Sequence, residues 1–160
     1  MQLKVNKGYY QIVKNKAVEL ITEDLGAGIA LGVIDEEKNS GGICVFVLPY
    51  KEHDIELDTG EVILSGESLI PIFFEELKNN NINVDKARYV IAGAGNFRAF
   101  PKGLNINNVN EKLIRGLIKK YLIPEENITY KTGYNTKIKL KVDLAKGKFK
   151  VIIGEKEEEL

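Results

Sequence analysis

From Lys137 to Leu144 the chain alternates without a break: Ile138, Leu140, Val142 and Leu144 are apolar, and Lys137, Lys139, Lys141 and Asp143 lie between them. A period of two places one set on each face of a β-strand, so this segment must bury one face of a sheet. Ala145-Lys146-Gly147 then turns the chain into a second β-rich run, Phe149 to Ile153. The pair reads as a hairpin, and the rest of the chain must supply the layer that covers it.

The N-terminal third reads as further strands: Tyr9 to Val13, Ala17 to Ile21, Ile29 to Ile34 and Gly41 to Leu48, punctuated by Gly, Asn and acidic clusters. Asp35 to Gly42 is a solvated turn that makes the last two a hairpin. Two amphipathic helices follow. The first starts near Ser65 and carries Leu69, Ile72, Phe73 and Leu77 at helical spacing, with Pro71 in its opening turn and Asn79-Asn80-Asn81 at its end. Strand Arg88 to Ala92 leads into Gly93-Ala94-Gly95. The second helix runs from about Val109 to Tyr121, with Asn108 and Glu111 as a capping box and Val109, Leu113, Ile114, Leu117, Ile118 and Tyr121 as its buried face. Pro124 closes it. With no linker, low-complexity tract or repeat, the expected organisation is one mixed α/β domain over residues 1–154. A charged, frayed tail is expected over 155–160.

Composition removes several function classes. Across 160 residues, 23 Lys and Arg balance 23 Asp and Glu, which gives no reason to expect a nucleic-acid partner. The single Cys44 excludes an intramolecular disulfide and a cysteine-based zinc cluster, and any catalytic pair must use the single His53. No cofactor or metal is expected. No apolar stretch reaches the roughly twenty residues of a membrane span, so no membrane insertion is expected. Met1 to Asn6 turns polar at once, unlike a signal peptide. The expected location is the cytoplasm, where the Asn127-Ile128-Thr129 sequon is without consequence.

Two glycine-rich segments invite a phosphate-binding reading. Gly26-Ala27-Gly28-Ile29-Ala30-Leu31-Gly32 has the wrong spacing, and an apolar strand follows it rather than the helix that a pyrophosphate needs. Gly93-Ala94-Gly95 lacks a third glycine. Tight backbone packing at strand ends accounts for both. Cys44 lies in an apolar strand as a small buried hydrophobe. His53 lies in a polar loop after Pro49. Asp54, Glu56 and Asp58 alternate with Ile55 and Leu57 as a polar strand face, with nothing to make them converge on a metal.

Taken in order, several segments resemble the CheD family, the chemoreceptor glutamine deamidases. Thr22-Glu23-Asp24-Leu25-Gly26-Ala27-Gly28 parallels the family's Thr-x-Gly-Leu-Gly-Ser-Cys loop, and Cys44-Val45-Phe46-Val47-Leu48-Pro49 its Ala-His-x-x-Leu-Pro strand. The helix containing Phe74-Glu75-Glu76-Leu77, then Ala92-Gly93-Ala94-Gly95, Gly103-Leu104-Asn105-Ile106 and Asn108 follow in position. Lys131-Thr132-Gly133-Tyr134-Asn135 and the hairpin around Lys146-Gly147-Lys148 complete the likeness. The resemblance implies β-sandwich-like mixed sheets with flanking helices, a CheD-like cysteine-hydrolase fold.

The departures fall on the chemistry. In the family a cysteine thiolate attacks the receptor's glutamine carboxamide, a histidine moves the proton, and a threonine orients them. Attack on an amide needs such a nucleophile–base pair. Here the nucleophile position holds Gly28 and the histidine position Val45, and of the three only Thr22 remains. The resemblance therefore implies a pseudoenzyme of chemotaxis that binds a chemoreceptor's cytoplasmic helices or a CheC-type phosphatase. Phe97, Arg98 and Phe100 are the expected contacts, because aromatic and Arg side chains anchor interfaces. The alternative is an active deamidase with a relocated Cys44/His53 pair. Neighbouring strand residues face opposite ways, so if position 45 faces the site, Cys44 faces away from it.

Overall fold

The strands are, in chain order, β1 (Gln2–Val5), β2 (Tyr10–Val13), β3 (Glu19–Thr22), β4 (Ile29–Asp35), β5 (Ser40–Phe46), β6 (Ile55–Glu56), β7 (Val62–Ile63), β8 (Arg88–Gly93), β9 (Ile128–Thr132), β10 (Ile138–Asp143), β11 (Lys148–Ile153) and β12 (Lys156–Glu159). The helices are α1 (Gly66–Asn79) and α2 (Ile106–Lys120). These come from a computed structural model that describes residues 1–96 and 105–160. The fold is mixed α/β. One five-stranded sheet has the order β1-β3-β10-β11-β12, a second has β2-β5-β4-β8-β9, and β6 and β7 form a separate small hairpin. Each large sheet is mixed, with β1 parallel to β3 in the first and β8 parallel to β9 in the second.

Three layers follow from the residue pattern. Every residue of β4 and β5 is buried, because both faces of the second sheet are covered. Ala30, Ile34, Ile43, Val45, Val90 and Ala92 point toward the first sheet and meet Leu20, Ile138, Leu140, Val142, Phe149 and Val151. The alternating apolar set of β10 supplies that layer as expected. Ile29, Leu31, Val33, Cys44, Phe46, Tyr89 and Ile91 point the other way, onto α1 and α2.

Several local expectations are corrected. In α1 the buried set is Leu69, Ile70, Phe73, Phe74 and Leu77, whereas Ile72 is exposed. The apolar stripe is wider than the expected one and rotated from it. Pro71 is the sixth residue of α1, past the opening turn, on the exposed side where water can replace the lost backbone hydrogen bond. Helix α2 begins at Ile106 rather than near Val109, with Asn105 as its N-cap residue. The capping box does not form. Glu111 pairs instead with Arg115 one turn on, at 3.3 Å. Residues 131–135, expected as a turn, begin inside β9.

The charged end is an ordered edge strand rather than a frayed tail. β12 pairs with β11 from Lys150↔Glu159 to Ile153↔Lys156. Its glutamates reach lysines of three strands: Glu157 to Lys141 at 2.8 Å, Glu158 to Lys131 at 2.9 Å and Glu159 to Lys148 at 3.3 Å. Glu158 thereby ties the edge of the first sheet to β9 at the edge of the second. Charges along an edge strand also discourage pairing with another chain.

One strained position yields a direct test. Leu122, just after α2, has φ +57° and is 83% exposed. The left-handed conformation costs a non-glycine residue roughly 1–2 kcal/mol, and here no buried area offsets it. Leu122→Gly should raise stability by about 0.5–1 kcal/mol, since glycine's greater unfolded-state entropy returns part of the gain. Urea denaturation with an unchanged or lower midpoint would refute the assignment of strain.

Candidate functional site

The positions that the family resemblance singles out lie where β4 starts, β5 ends, β8 ends and α2 begins. Backbone meets backbone closely there. Gly28 N donates to Leu25 O at 2.8 Å, Ala94 N to Gly28 O at 2.8 Å, and Gly95 N to Gly26 O at 2.8 Å. Gly133 N donates to Gly93 O at 3.1 Å, and Asn96 N to Tyr134 O at 2.8 Å. Gly93 has φ +116°, and a Cβ on it would stand 2.1 Å from Gly28 O. Only glycine fits that conformation and that approach. The Gly93-Ala94-Gly95 segment thus serves backbone packing, as read from the sequence.

Gly28 is buried and has no room for a side chain. A Cβ placed on it would lie 2.7 Å from Phe46 O, 3.0 Å from Leu25 O and 3.4 Å from Val47 Cα. Val45 is buried between the two sheets. Neither position presents accessible surface. Thr22 is buried as well, and its Oγ1 accepts a hydrogen bond from Leu140 N at 3.0 Å. Its hydroxyl completes the β3–β10 pairing.

A residue not singled out in the sequence holds this corner together. Asn110 of α2 is fully buried, and its Nδ2 donates to Ala27 O at 2.9 Å and Val47 O at 2.6 Å. One carboxamide thereby joins the loop before β4 to the segment after β5. Its Oδ1 is buried without a hydrogen-bond partner among the described residues. Asn107 is buried one turn earlier. The signal was present in the sequence, because Asn107, Asn110, Ile114 and Ile118 fall on one helical stripe. A search for apolar residues passes over it.

Cys44 and His53 share no hydrogen bond among the described residues. Cys44 is buried in the layer facing the helices, and burial pushes its thiol well above the ordinary range, outweighing a backbone hydrogen bond from Leu31. Val45, its neighbour, points to the opposite face. His53 sits in a single 3₁₀ turn, residues 51–53, where its Nδ1 accepts from Tyr50 N at 3.2 Å. A buried thiol with a raised pKa is a poor source of thiolate in this conformation.

Asp54 serves the start of α1. Its Oδ1 accepts from Ser65 N at 2.7 Å and its Oδ2 from Ser68 Oγ at 2.6 Å, while Ser65 Oγ accepts from Ser68 N at 3.3 Å. Desolvation alone would raise its pKa, but the bonds from Ser68 and Ser65 and the charge of Lys51 together hold the carboxyl below its ordinary value. A depressed carboxyl contributes stability above its unfolded pKa and loses it as pH falls through the folded one. Asp54→Ala should therefore cost about 1–2 kcal/mol at neutral pH. That deficit should begin to shrink as pH falls below about 4, where the unfolded carboxyl takes up its proton, and vanish once pH has passed the lower folded value. Thermal melts across pH measure this, and a pH-independent deficit would refute it. Glu56 lies in β6 and Asp58 in the following turn, and among the described residues no three His, Cys, Asp or Glu side chains form a metal cluster. Phe97, Arg98 and Phe100 lie outside the described residues. No described helix is long and apolar enough to cross a membrane. No family model matches the chain, and no curated protein matches it.

Proposed function

We propose that this chain is a CheD-like protein that works by binding, with a chemoreceptor's cytoplasmic helices or a CheC-type phosphatase as its partner, and without deamidase chemistry. The observation that carries the reading is the closure of position 28. Phe46 O and Leu25 O stand within 3.0 Å of where a Cβ would be, so the family's nucleophile has no space without a backbone shift. The burial of Val45 and the engagement of Thr22 Oγ1 by Leu140 N support the same reading. Amide attack needs an ionisable nucleophile beside a base, and glycine and valine supply neither. The test is capture of the full chain by the receptor's cytoplasmic segment and by a CheC-type phosphatase. The receptor's glutamines are followed by mass spectrometry in the same sample. Capture by either, with receptor mass unchanged, is the expected result. A folded protein captured by neither would overturn the binding role. Deamidation abolished by Cys44→Ser would replace it with the relocated-pair enzyme.

A further inference from the structure

The β6–β7 hairpin carries apolar side chains that no core claims. Tyr50, Ile55, Leu57 and Val62 are each 38–47% exposed, and all four fall within thirteen residues of chain. They belong to neither of the two core clusters. An isolated two-stranded hairpin is marginal in water, and this one is anchored by a few contacts. Ile63 packs on Gly8, Tyr9 Oη donates to Glu61 Oε2 at 3.1 Å, and Asp54 holds the start of α1. Beside it, Lys4, Val5, Tyr9, Tyr10 and Glu61 help to line a depression of about 330 Å³, and the Lys4 ammonium is paired with Glu23 at 3.8 Å.

The charge on this hairpin is one-sided. From Lys51 to Val62 there are five acidic residues, Glu52, Asp54, Glu56, Asp58 and Glu61, against one lysine, in a chain whose net charge is zero. None of the five takes part in an ion pair among the described residues, although acids elsewhere in the chain pair with lysine or arginine. Uncovered apolar side chains within an acidic rim that forms no ion pair define what can cover them.

We infer that the β6–β7 hairpin, with the adjoining Tyr9–Glu61 depression, is a docking surface for a protein segment whose apolar side chains are flanked by lysine and arginine. Complementary charge favours that occupant and speeds its capture. A second copy docked through the same patch would set acidic rim against acidic rim, as two-fold symmetry requires. Anionic lipid headgroups and nucleic-acid phosphates meet the same repulsion. The inference does not rest on the CheD-like reading, and failure of receptor capture leaves it standing.

The probe is a synthetic amphipathic peptide of leucine and lysine, about 18 residues or five helical turns long. Its counterpart has glutamate at every lysine position. Fluorescence anisotropy with the full chain should show the lysine peptide binding at least about tenfold tighter than the glutamate peptide, and weakening as salt is raised. Ile55→Ser with Leu57→Ser and Val62→Ser should reduce its affinity by about tenfold. A second variant, Glu52→Gln with Glu56→Gln and Asp58→Asn, should lower affinity and flatten the salt dependence. All six side chains are exposed, so the melting temperatures should stay within a few degrees of the parent. Equal affinity for the two peptides, or unchanged binding by both variants, would overturn the inference. Self-association that the apolar variant abolishes, with peptide binding intact, would assign the surface to a second copy and overturn it too.

Discussion

Placing the CheD family's cysteine and histidine at the positions the resemblance singles out, Gly28→Cys with Val45→His, is expected to yield a less stable protein with no deamidase activity. Any side chain at 28 drives its Cβ toward Phe46 O and Leu25 O, both backbone atoms that cannot rotate away. Overpacking of this kind costs about 1–3 kcal/mol. At 45 an imidazole would replace a valine buried in the apolar layer between the two sheets, where unpaired polar atoms cost about 1–3 kcal/mol each. The two sites are near neighbours, since Ala30 pairs with Val45 and Ile29 with Phe46, so the costs need not add. A combined loss of about 3–5 kcal/mol is expected, a large part of a domain's typical stability. Urea denaturation of both single variants and the double variant checks this, with receptor mass as the activity readout. A double variant as stable as the parent, or one that deamidates, would show that position 28 is open.

Asn110→Asp should be at least as damaging. The native carboxamide gives one N–H to Ala27 O and one to Val47 O. A carboxylate has no proton for either and would face two carbonyl oxygens from a fully buried position. Breaking the bridge and burying an unpaired charge should cost about 4 kcal/mol or more. Asn110→Ala should cost less, about 2–4 kcal/mol, because two carbonyls are left without a donor but no charge is buried. The sign of the pH dependence separates the two. An aspartate forced into this site has a raised carboxyl pKa, so its penalty is present at neutral pH. It recedes in acid, where a protonated carboxyl can donate one hydrogen bond. Denaturation midpoints of both variants at neutral and acid pH test this. No deficit in Asn110→Ala, or an Asn110→Asp deficit that does not recede in acid, would refute this account.

These two residues show how far each level of description reaches. The resemblance to the CheD family depends on spacing, and it led to Gly28, Val45 and Thr22 from sequence alone. That Gly28 is closed depends on Phe46 O, eighteen positions away, and no local pattern contains that distance. An asparagine on an apolar stripe reads as an interruption, whereas the value of Asn110 lies in two carbonyls more than sixty residues away. The β12 strand is illegible in the sequence for a similar reason. Lys156 to Glu159 has no apolar alternation, and its order comes from the β11 ladder and from lysines on β9, β10 and β11.

Local chemistry in the sequence was sufficient for the mixed α/β class, the β10–β11 hairpin, the start of α1 at Ser65 and the central strands. Period-two alternation, capping and helical spacing act over a few residues, so they are legible in one dimension. Tertiary structure alone decided which face of each strand meets which layer, where backbone crowds out a side chain, and which exposed surface stays uncovered. Those outcomes are set by contacts between segments far apart in the chain. The separation of Cys44 from Val45 shows both levels at once. The sequence required that they face apart, and only the packing of the sheets and helices decided that one meets α1 and α2 and the other meets the first sheet.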